Sequence, residues 1–478
     1  MKMVGTKSTL FMEEGASNLR RIYFLILALI LVALFFVLGT RAGNSYPPAE
    51  LLDRAVSLVD GFTGAAEEQE ENTEVEADPE EEKKEEENDS EPELRSINML
   101  VAGDITAHVP QIDQAHLGDG EYDFTPSFEV IAPYLREADI TVGDLETSQA
   151  GPDISFWGYQ GYTGYPLFNA PQELSEALAE AGFTALSVAN NHTLDRGYEG
   201  LMETLSHVRS LGIETFGAYK SWEERSSPLI IEKQGIEIAM IGYTYGLNGI
   251  PIPDGHEYCV NKTVNFEDIT PVVEDIKTAR DNGADLVAVF PHWGEMYVTE
   301  PQPQRLRQVA KELAEAGADL IMGGHPHTIQ PMEWFFPEDE DGEERAALAI
   351  YSLGNFISNQ HYPHNPTPYV EYGILLDLDL TKNLESGEAW ISGVDYEITW
   401  VHRDWRHRIL PLSTIFDGNP EDYNLSESRV EELKTWYQNN IEVVEKYGHP
   451  EDKNKAMEIA ERLYREAHEQ YNRGGNEN

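Results

Sequence analysis

Along much of the chain, short apolar runs stop at small or polar residues. "INMLVAGD" (97–104), "ADITVGDLE" (138–146), "FTALSVANNH" (183–192), "ADLVAVFPHWG" (284–294), "ADLIMGGHPH" (318–327) and "ALAIYSLGNF" (347–356) all share this form. Between several of them lie stretches with apolar residues three and four apart. "PQELSEALAEAG" (171–182) and "EPQPQRLRQVAKELAEAG" (300–317) are examples, and each closes on a glycine suited to a left-handed helix end. Near-continuous apolar strands alternating with amphipathic helices predict an α/β domain whose sheet is covered on its faces. Two stretches depart from the alternation. "SPLIIEKQGIEIAMIGYTY" (227–245) predicts two antiparallel strands joined through Gln234-Gly235, and residues 371–401 predict a second, late hairpin. The strand arrangement is therefore mixed. Residues 426–472 are charged with a helical period, a helical tail that either packs on the domain or frays.

The N-terminal pattern is different. Ile22 to Gly39 is an uncharged apolar run flanked by Arg20-Arg21 and Arg41. At 1.5 Å per residue it reaches roughly 27 Å, enough for a thin bilayer. It is longer than the apolar part of a usual signal peptide and no small-x-small cleavage site follows it, so it reads as an uncleaved transmembrane anchor. Lys2, Lys7, Arg20 and Arg21 precede it, against Arg41 and Arg54 after it. The positive-inside rule then places the N-terminus in the cytoplasm and the main domain outside the cell. Residues 67–93 carry 16 acids, two lysines and no aromatic. Such a stretch cannot bury a core and predicts a disordered, self-repelling spacer. The expected organisation is a cytoplasmic segment (1–21), an anchor (22–40), an acidic linker (41–95), the α/β domain (96–410) and a helical C-terminal extension (411–478).

Composition narrows the chemistry. The formal charge is −52, from 86 acidic and 34 basic side chains, which excludes nucleic acid as a natural partner because phosphate contacts need clustered Lys and Arg. Cys259 is the only cysteine, so neither an internal disulfide nor a thiolate metal site can form. Histidines and carboxylates must carry any metal chemistry.

The strand ends supply them. Asp104 ends the first strand, Asp144 and Glu146 the second, Asn190-Asn191-His192 the third, His292 a later one, and His325-Pro326-His327 the next. Any one of these is readily a turn or a helix cap. In open α/β sheets, however, ligands bind beyond the carboxyl ends of strands. Five such ends together offer carboxylate, amide and imidazole groups to one crevice, a donor set suited to Mn, Fe, Zn or similar divalent ions.

The order Gly103-Asp104, Gly143-Asp144-Leu145-Glu146, Asn190-Asn191-His192 with Asp195 and Gly197 following, His292-Trp293-Gly294-Glu295 and Gly324-His325-Pro326-His327 resembles the calcineurin-like metallophosphoesterase superfamily. More closely it resembles the CapA family of poly-γ-glutamate capsule synthesis proteins. "SVANNHTLDRG" (187–197), "FPHWGEMY" (290–297), "GGHPHTIQP" (323–331) and "YSLGNF" (351–356) carry that likeness, over roughly residues 97–360. The resemblance implies a four-layer αββα sandwich of two mixed β-sheets and a centre for two divalent metal ions. It implies Asp104 and His327 at the first metal, and Asn191, His292 and His325 at the second. Asp144 and Glu146 compete for the bridging position. His192 is implied as the residue that protonates the leaving oxygen. Asp195 either orients His192 or caps the following turn, and Arg196 is either a phosphate contact or a solvated side chain.

One position departs from the superfamily pattern. Thr106 stands where a first-metal histidine is usual, and His108 lies two residues further on. The resemblance further implies a role in poly-γ-glutamate synthesis or export beside membrane subunits of the synthetase, with an anionic polymer or a phosphoester as substrate. The alternatives are a metallophosphatase for another extracellular phosphoester and a non-catalytic component that binds metal or polymer. The aromatic stretch "FWGYQGYTGYP" (156–166), with Trp157, Tyr159, Tyr162 and Tyr165, either lines a substrate groove or packs over the sheet edge.

Overall fold

The structure is a computed structural model that describes residues 93–301, 305–338 and 342–474. The expected cytoplasmic segment, the anchor and nearly all of the acidic linker lie outside the described residues. Among the described residues no helix is long and apolar enough to cross a membrane.

The strands, in chain order, are β1 (Leu94–Ile105), β2 (His116–Gly118), β3 (Glu121–Tyr122), β4 (Ile140–Leu145), β5 (Ala185–Ser187) and β6 (Glu214–Phe216). They continue with β7 (Leu229–Lys233), β8 (Ile236–Thr244), β9 (Leu286–His292), β10 (Leu320–Met322) and β11 (Met332–Phe335). The last are β12 (Ala347–Ile350), β13 (Asn355–Ile357), β14 (Tyr372–Asn383), β15 (Ala389–His402) and β16 (Arg408–Pro411). One sheet runs β16-β15-β14-β1-β4-β5-β6 with β13 beside β1, and a second runs β11-β12-β10-β9-β8-β7. Both are mixed, as the two hairpin patterns predict. In the first sheet β1, β4, β5 and β6 are parallel, while β14, β15 and β16 pair antiparallel. In the second, β8, β9, β10 and β12 are parallel, with β7 and β11 antiparallel at the edges.

Alternation along the strands sets the layers. Ile97, Met99 and Val101 of β1 point into one apolar cluster with Ile236, Ile238 and Met240 of β8, so the two sheets pack face to face. Leu100 and Ala102 point the other way, onto Leu174 and Leu178 of the helix Glu173–Ala181. On the second sheet Ala239, Ile241, Val287 and Val289 meet the helices Thr270–Asp281 and Leu306–Glu315. The second helix buries Leu306, Val309, Ala310, Leu313 and Ala314, the i, i+3, i+4, i+7, i+8 stripe that places a helix on a sheet. The order of layers is helix, sheet, sheet, helix.

The hairpin at 227–245 closes in two residues, Gln234 and Gly235, at φ of 53° and 83°, a turn whose twist matches the flanking strands. β1 opens at Leu94, so the last residues of the expected linker already belong to the sheet. The C-terminal extension is packed. Leu412 and Ile415, then Val430, Leu433 and Val444 of the helix Glu427–Val444, enter the same cluster as the facing sheets. The expected boundary at 410–411 therefore runs through one core.

This architecture brings the carboxyl ends of β1, β4 and β5 on one sheet against those of β9 and β10 on the other. Asp104 is in register with Asp144 across the first sheet, and His292 bridges to Gly324 across the second.

Candidate metal centre

Asp104, Asp144, Glu146, Asn191, His192, His292, His325 and His327, from five strand ends, meet in one buried site. Two trios have ligand atoms within 4.8 Å of one another, Asp104 with Asp144 and His292, and Glu146 with His325 and His327. The grouping differs from the one implied by resemblance, because His325 and His327 both fall with Glu146 and His292 falls with the two aspartates. His327 still touches the other trio, its Nδ1 lying 3.1 Å from Asp104 Oδ2.

Backbone geometry creates this convergence. A Cβ on Gly324 would lie 2.7 Å from Asp104 Oδ1 and 3.3 Å from Asp144 Oδ2, so only glycine lets the β10 loop pass over both carboxylates. After it, His325 and His327 both adopt positive φ, 96° and 56°, with Pro326 between them. Two non-glycine residues in that region cost of order 1–3 kcal/mol each, a strain typical of functional sites. The turn gives the imidazoles different bearings. The His325 ring lies over Tyr245, 4.6 Å between centroids, and His327 Nδ1 reaches Asn355 Oδ1 at 3.1 Å.

Charge is unevenly distributed. His292 bridges Asp144 Oδ2 through Nδ1 and Asn191 Oδ1 through Nε2, both at 2.7 Å. Burial pushes the Asp144 carboxyl up to about 6, against the pull of His292. Burial likewise opposes a charged His292, but the Asp144 carboxylate outweighs it and holds the imidazole up to about 10. Burial also acts to raise Glu146, yet His327, His292 and His192 together bring it well below the ordinary carboxylate range. His325 is lowered far below its usual value by burial, then by the neighbouring imidazoles His292 and His327.

The donor set fits divalent cations. Glu146 is fully buried, and its carboxylate oxygens make no hydrogen bond of good geometry, the imidazole nitrogens His292 Nε2 and His327 Nδ1 lying 3.4 and 3.7 Å away. The buried Nδ1 of His325 is equally unpartnered. Buried polar atoms in folded proteins are nearly always satisfied, so three orphan lone-pair donors in one site call for a ligand that accepts electron pairs.

His192 lies at the edge of this set. Its Nδ1 donates to Asp195 Oδ2 at 2.7 Å, and its Nε2 lies 4.0 Å from Glu146 Oε1. Asp195 Oδ2 also accepts from the backbone N–H of Phe168 at 2.6 Å. Of the two readings of Asp195, the structure supports the one that orients His192. Arg196 is neither a phosphate contact nor solvated. It is 1 % exposed, and its guanidinium donates to the carbonyls of Leu167, Asp195 and Gly161 and to the Thr163 hydroxyl. Thr106 Oγ1 donates to the Ile357 carbonyl, so its hydroxyl does not stand in for the missing imidazole.

Two amides at the site were given no role from the sequence. Asn190, named there only as part of a strand end, donates to Asp144 Oδ1, and Asn355, inside "YSLGNF", holds His327. Both are amides at the carboxyl end of an apolar run, the same signal that marks Asn191. His108 opens onto the pocket beside the centre, a cavity of about 430 Å³ that Trp157, Tyr159 and Tyr165 also line. The aromatic stretch therefore borders the groove, except for Tyr162, which packs edge-on against Tyr122. A larger cavity of about 640 Å³, between the ends of β14 and β15 and the helix Glu427–Val444, contains none of these groups.

The chain belongs to the bacterial capsule synthesis protein PGA_cap family, whose profile matches residues 98–360. It is 29 % identical over 270 residues to the capsule biosynthesis protein CapA of Bacillus anthracis, covering 56 % of this chain and 61 % of that protein. It is 28 % identical over 240 residues to the PGA biosynthesis protein CapA of Bacillus subtilis strain 168, covering 49 % and 57 %. The chain thus matches about six tenths of the length of these relatives. Among solved structures it overlays on the calcineurin-like phosphoesterase YfkN of Bacillus subtilis with a TM-score of 0.36 and 16 % identity, over 64 % of this chain and 90 % of that one.

Proposed function

We propose that the protein is a membrane-anchored component of poly-γ-glutamate capsule synthesis or export. In this reading residues 22–40 hold it in the cell membrane, the N-terminus is cytoplasmic, and the α/β domain works outside the cell beside membrane subunits of the synthetase. Its site is a divalent-metal centre of the phosphoesterase type. Asp104, Asp144 and His292, with Asn191, hold one ion, and Glu146, His325 and His327 hold another. The observation that supports the metal centre is the pair of buried trios with the Glu146 oxygens and His325 Nδ1 left without good hydrogen bonds.

Bound there, manganese, iron, zinc or a similar ion supplies Lewis acidity toward an ester oxygen and lowers the pKa of water. The chain's own residues do the rest. Asp195 fixes His192 with the proton on Nδ1, leaving Nε2 to carry a proton to the leaving oxygen. Phe168 packs edge-on to the His192 ring at 4.7 Å and keeps water off its face. Asn191 presents its amide oxygen to His292 while its NH₂ donates to Asn248 Oδ1 at 3.3 Å, which fixes the amide's orientation.

A second reading, a non-catalytic metal- or polymer-binding component, is favoured by Thr106, which leaves the Asp104 trio without the superfamily's usual imidazole. Three measurements decide between them. Metal analysis of the purified protein is expected to give stoichiometric transition metal, with metal-dependent hydrolysis of an aryl phosphate that His325→Ala abolishes. A metal-free, inactive protein sinks the centre altogether. Restoration of capsule in a deletion strain by His325→Ala leaves only the non-catalytic role.

A further inference from the structure

The pocket beside the metal centre has an unexpected character for a protein tied to a polyanion. Among its described lining residues there is no lysine or arginine. Arg196 lies close by, but its guanidinium is turned into backbone carbonyls. The rim is aromatic and apolar instead. Of the eleven large apolar side chains exposed among the described residues, four (Trp157, Tyr159, Tyr165 and Met296) line this one mouth. Trp157 is 61 % and Tyr165 76 % exposed. Clustered exposed apolar groups around a concavity mark a binding site.

Trp157 is displayed against its backbone preference. Phe156 and Tyr159 exchange N–H···O bonds of 3.0 and 2.9 Å, so Trp157 and Gly158 form a two-residue turn with φ of 49° and 84°. Asparagine-glycine is the usual occupant of such a turn, and a bulky residue in its first position is disfavoured. Strain retained at an exposed tip beside a cavity is a feature of ligand clamps.

Beyond Glu146, Asn191 and the imidazoles of the centre, the pocket wall carries two neutral amides, Asn248 and Gln360. Asn248 Oδ1 accepts from Asn191, and Gln360 Oε1 accepts from Asn355 at 3.0 Å. In both amides the oxygen is taken by the scaffold, while the NH₂ has no protein partner among the described residues. Flat aromatic faces combined with neutral amide donors match a ring with apolar C–H faces and hydroxyls at its edge.

We propose that this pocket binds an uncharged, hydroxyl-bearing ring, a sugar, attached to the phosphoryl group or other oxyanion that the metal centre holds. The substrate class rests on the metal-centre reading above. A γ-linked glutamate chain carries a carboxylate on every residue. It finds no lysine or arginine in the pocket wall and meets a chain of net charge −52. The polymer itself is therefore not the group seated here.

The test uses the full chain, purified in detergent and loaded with manganese(II). Glucosyl phosphate, glycerol phosphate (the same charge without the ring) and tri-γ-glutamate are titrated by calorimetry and tryptophan fluorescence. Glucosyl phosphate is expected to bind about tenfold more tightly than glycerol phosphate. Trp157→Ala combined with Tyr165→Ala, both at exposed positions, is expected to bring that ratio to near one with metal content unchanged. Equal affinity for the two esters, tightest binding of tri-γ-glutamate, or no binding of either ester at millimolar concentration overturns the inference. Failure of the metal reading has a different signature: His325→Ala or metal omission leaves both affinities unchanged while the ring preference persists.

Discussion

Arg196→Met removes a buried cation whose work is entirely structural. The guanidinium makes four hydrogen bonds, to the carbonyls of Leu167 (3.2 Å), Asp195 (3.1 Å) and Gly161 (3.4 Å) and to Thr163 Oγ1. Three of these acceptors lie in the second half of the aromatic stretch and just beyond it, so the side chain fastens that part of the pocket wall to the turn that carries His192 and Asp195. At about 1 kcal/mol net for each bond, the loss comes to about 4 kcal/mol. Typical domain stability is roughly 5–15 kcal/mol, so the effect is large. Methionine fills much of the volume and leaves the acceptors bare, which isolates the hydrogen-bond contribution from a cavity. Asp195 also loses a nearby positive charge, so its carboxyl, already raised by burial, rises further. Urea unfolding of wild type and variant measures the loss. Metal content is expected to hold, because six of the seven proposed ligands lie at the ends of β1, β4, β9 and β10, and only Asn191 sits on the turn that Arg196 fastens. A stability loss under about 1 kcal/mol would refute the claim that Arg196 clamps the wall.

Three further outcomes follow from the same structure. Gly324→Ala places a methyl 2.7 Å from Asp104 Oδ1, and metal retention is expected to weaken by roughly tenfold or more, read by metal analysis after dialysis. Manganese(II) at about a hundred times its dissociation constant is expected to stabilise the wild type by about 2.7 kcal/mol, with His325→Ala showing no shift in thermal unfolding. His407 is buried, its Nδ1 donates to Gln114 Oε1 at 2.8 Å, and burial lowers it from 6.5 to about 3. The unfolded chain therefore takes up the proton first. Stability from this residue is complete above pH 6.5 and falls as the pH drops toward 3, by about 2 kcal/mol between pH 6.5 and 5. Unfolding of His407→Gln over that range should lack this part of the slope.

The fold was legible wherever periodicity was unambiguous. The six apolar runs became β1, β4, β5, β9, β10 and β12, and Gln234-Gly235 made the turn it predicts, because a two-residue connection with a glycine admits few geometries. The C-terminal extension was harder to place. Its helix Glu427–Val444 buries only a few apolar side chains, Val430, Leu433 and Val444 among them, and a sequence alone does not reveal that these enter the core between the sheets. Charge on the exposed face hides the stripe, and the partner surface is set by β14 and β15, which are distant in sequence.

At the site, legibility divided along chemical lines. Carboxylates and imidazoles at strand ends are rare enough to be noticed, and the topology that aligns Asp104 with Asp144 brought the noticed residues together. The trio partition could not be read, because it depends on the positive φ of His325 and His327, which reverses the bearings expected of alternate residues in an extended segment. Arg196 was misread for a related reason. Beside a histidine and an aspartate it resembles an anion contact, and only the path of residues 161–167 over it shows that its acceptors are carbonyls. The same path decides the character of the pocket. With the guanidinium covered, the positive charge available to an incoming group is concentrated at the proposed metals, and Trp157, Tyr159 and Tyr165 are left to select what carries it. Selection by the wall and anchoring by the centre are then separable, which is why exposed aromatic substitutions and buried histidine substitutions should fail in different ways.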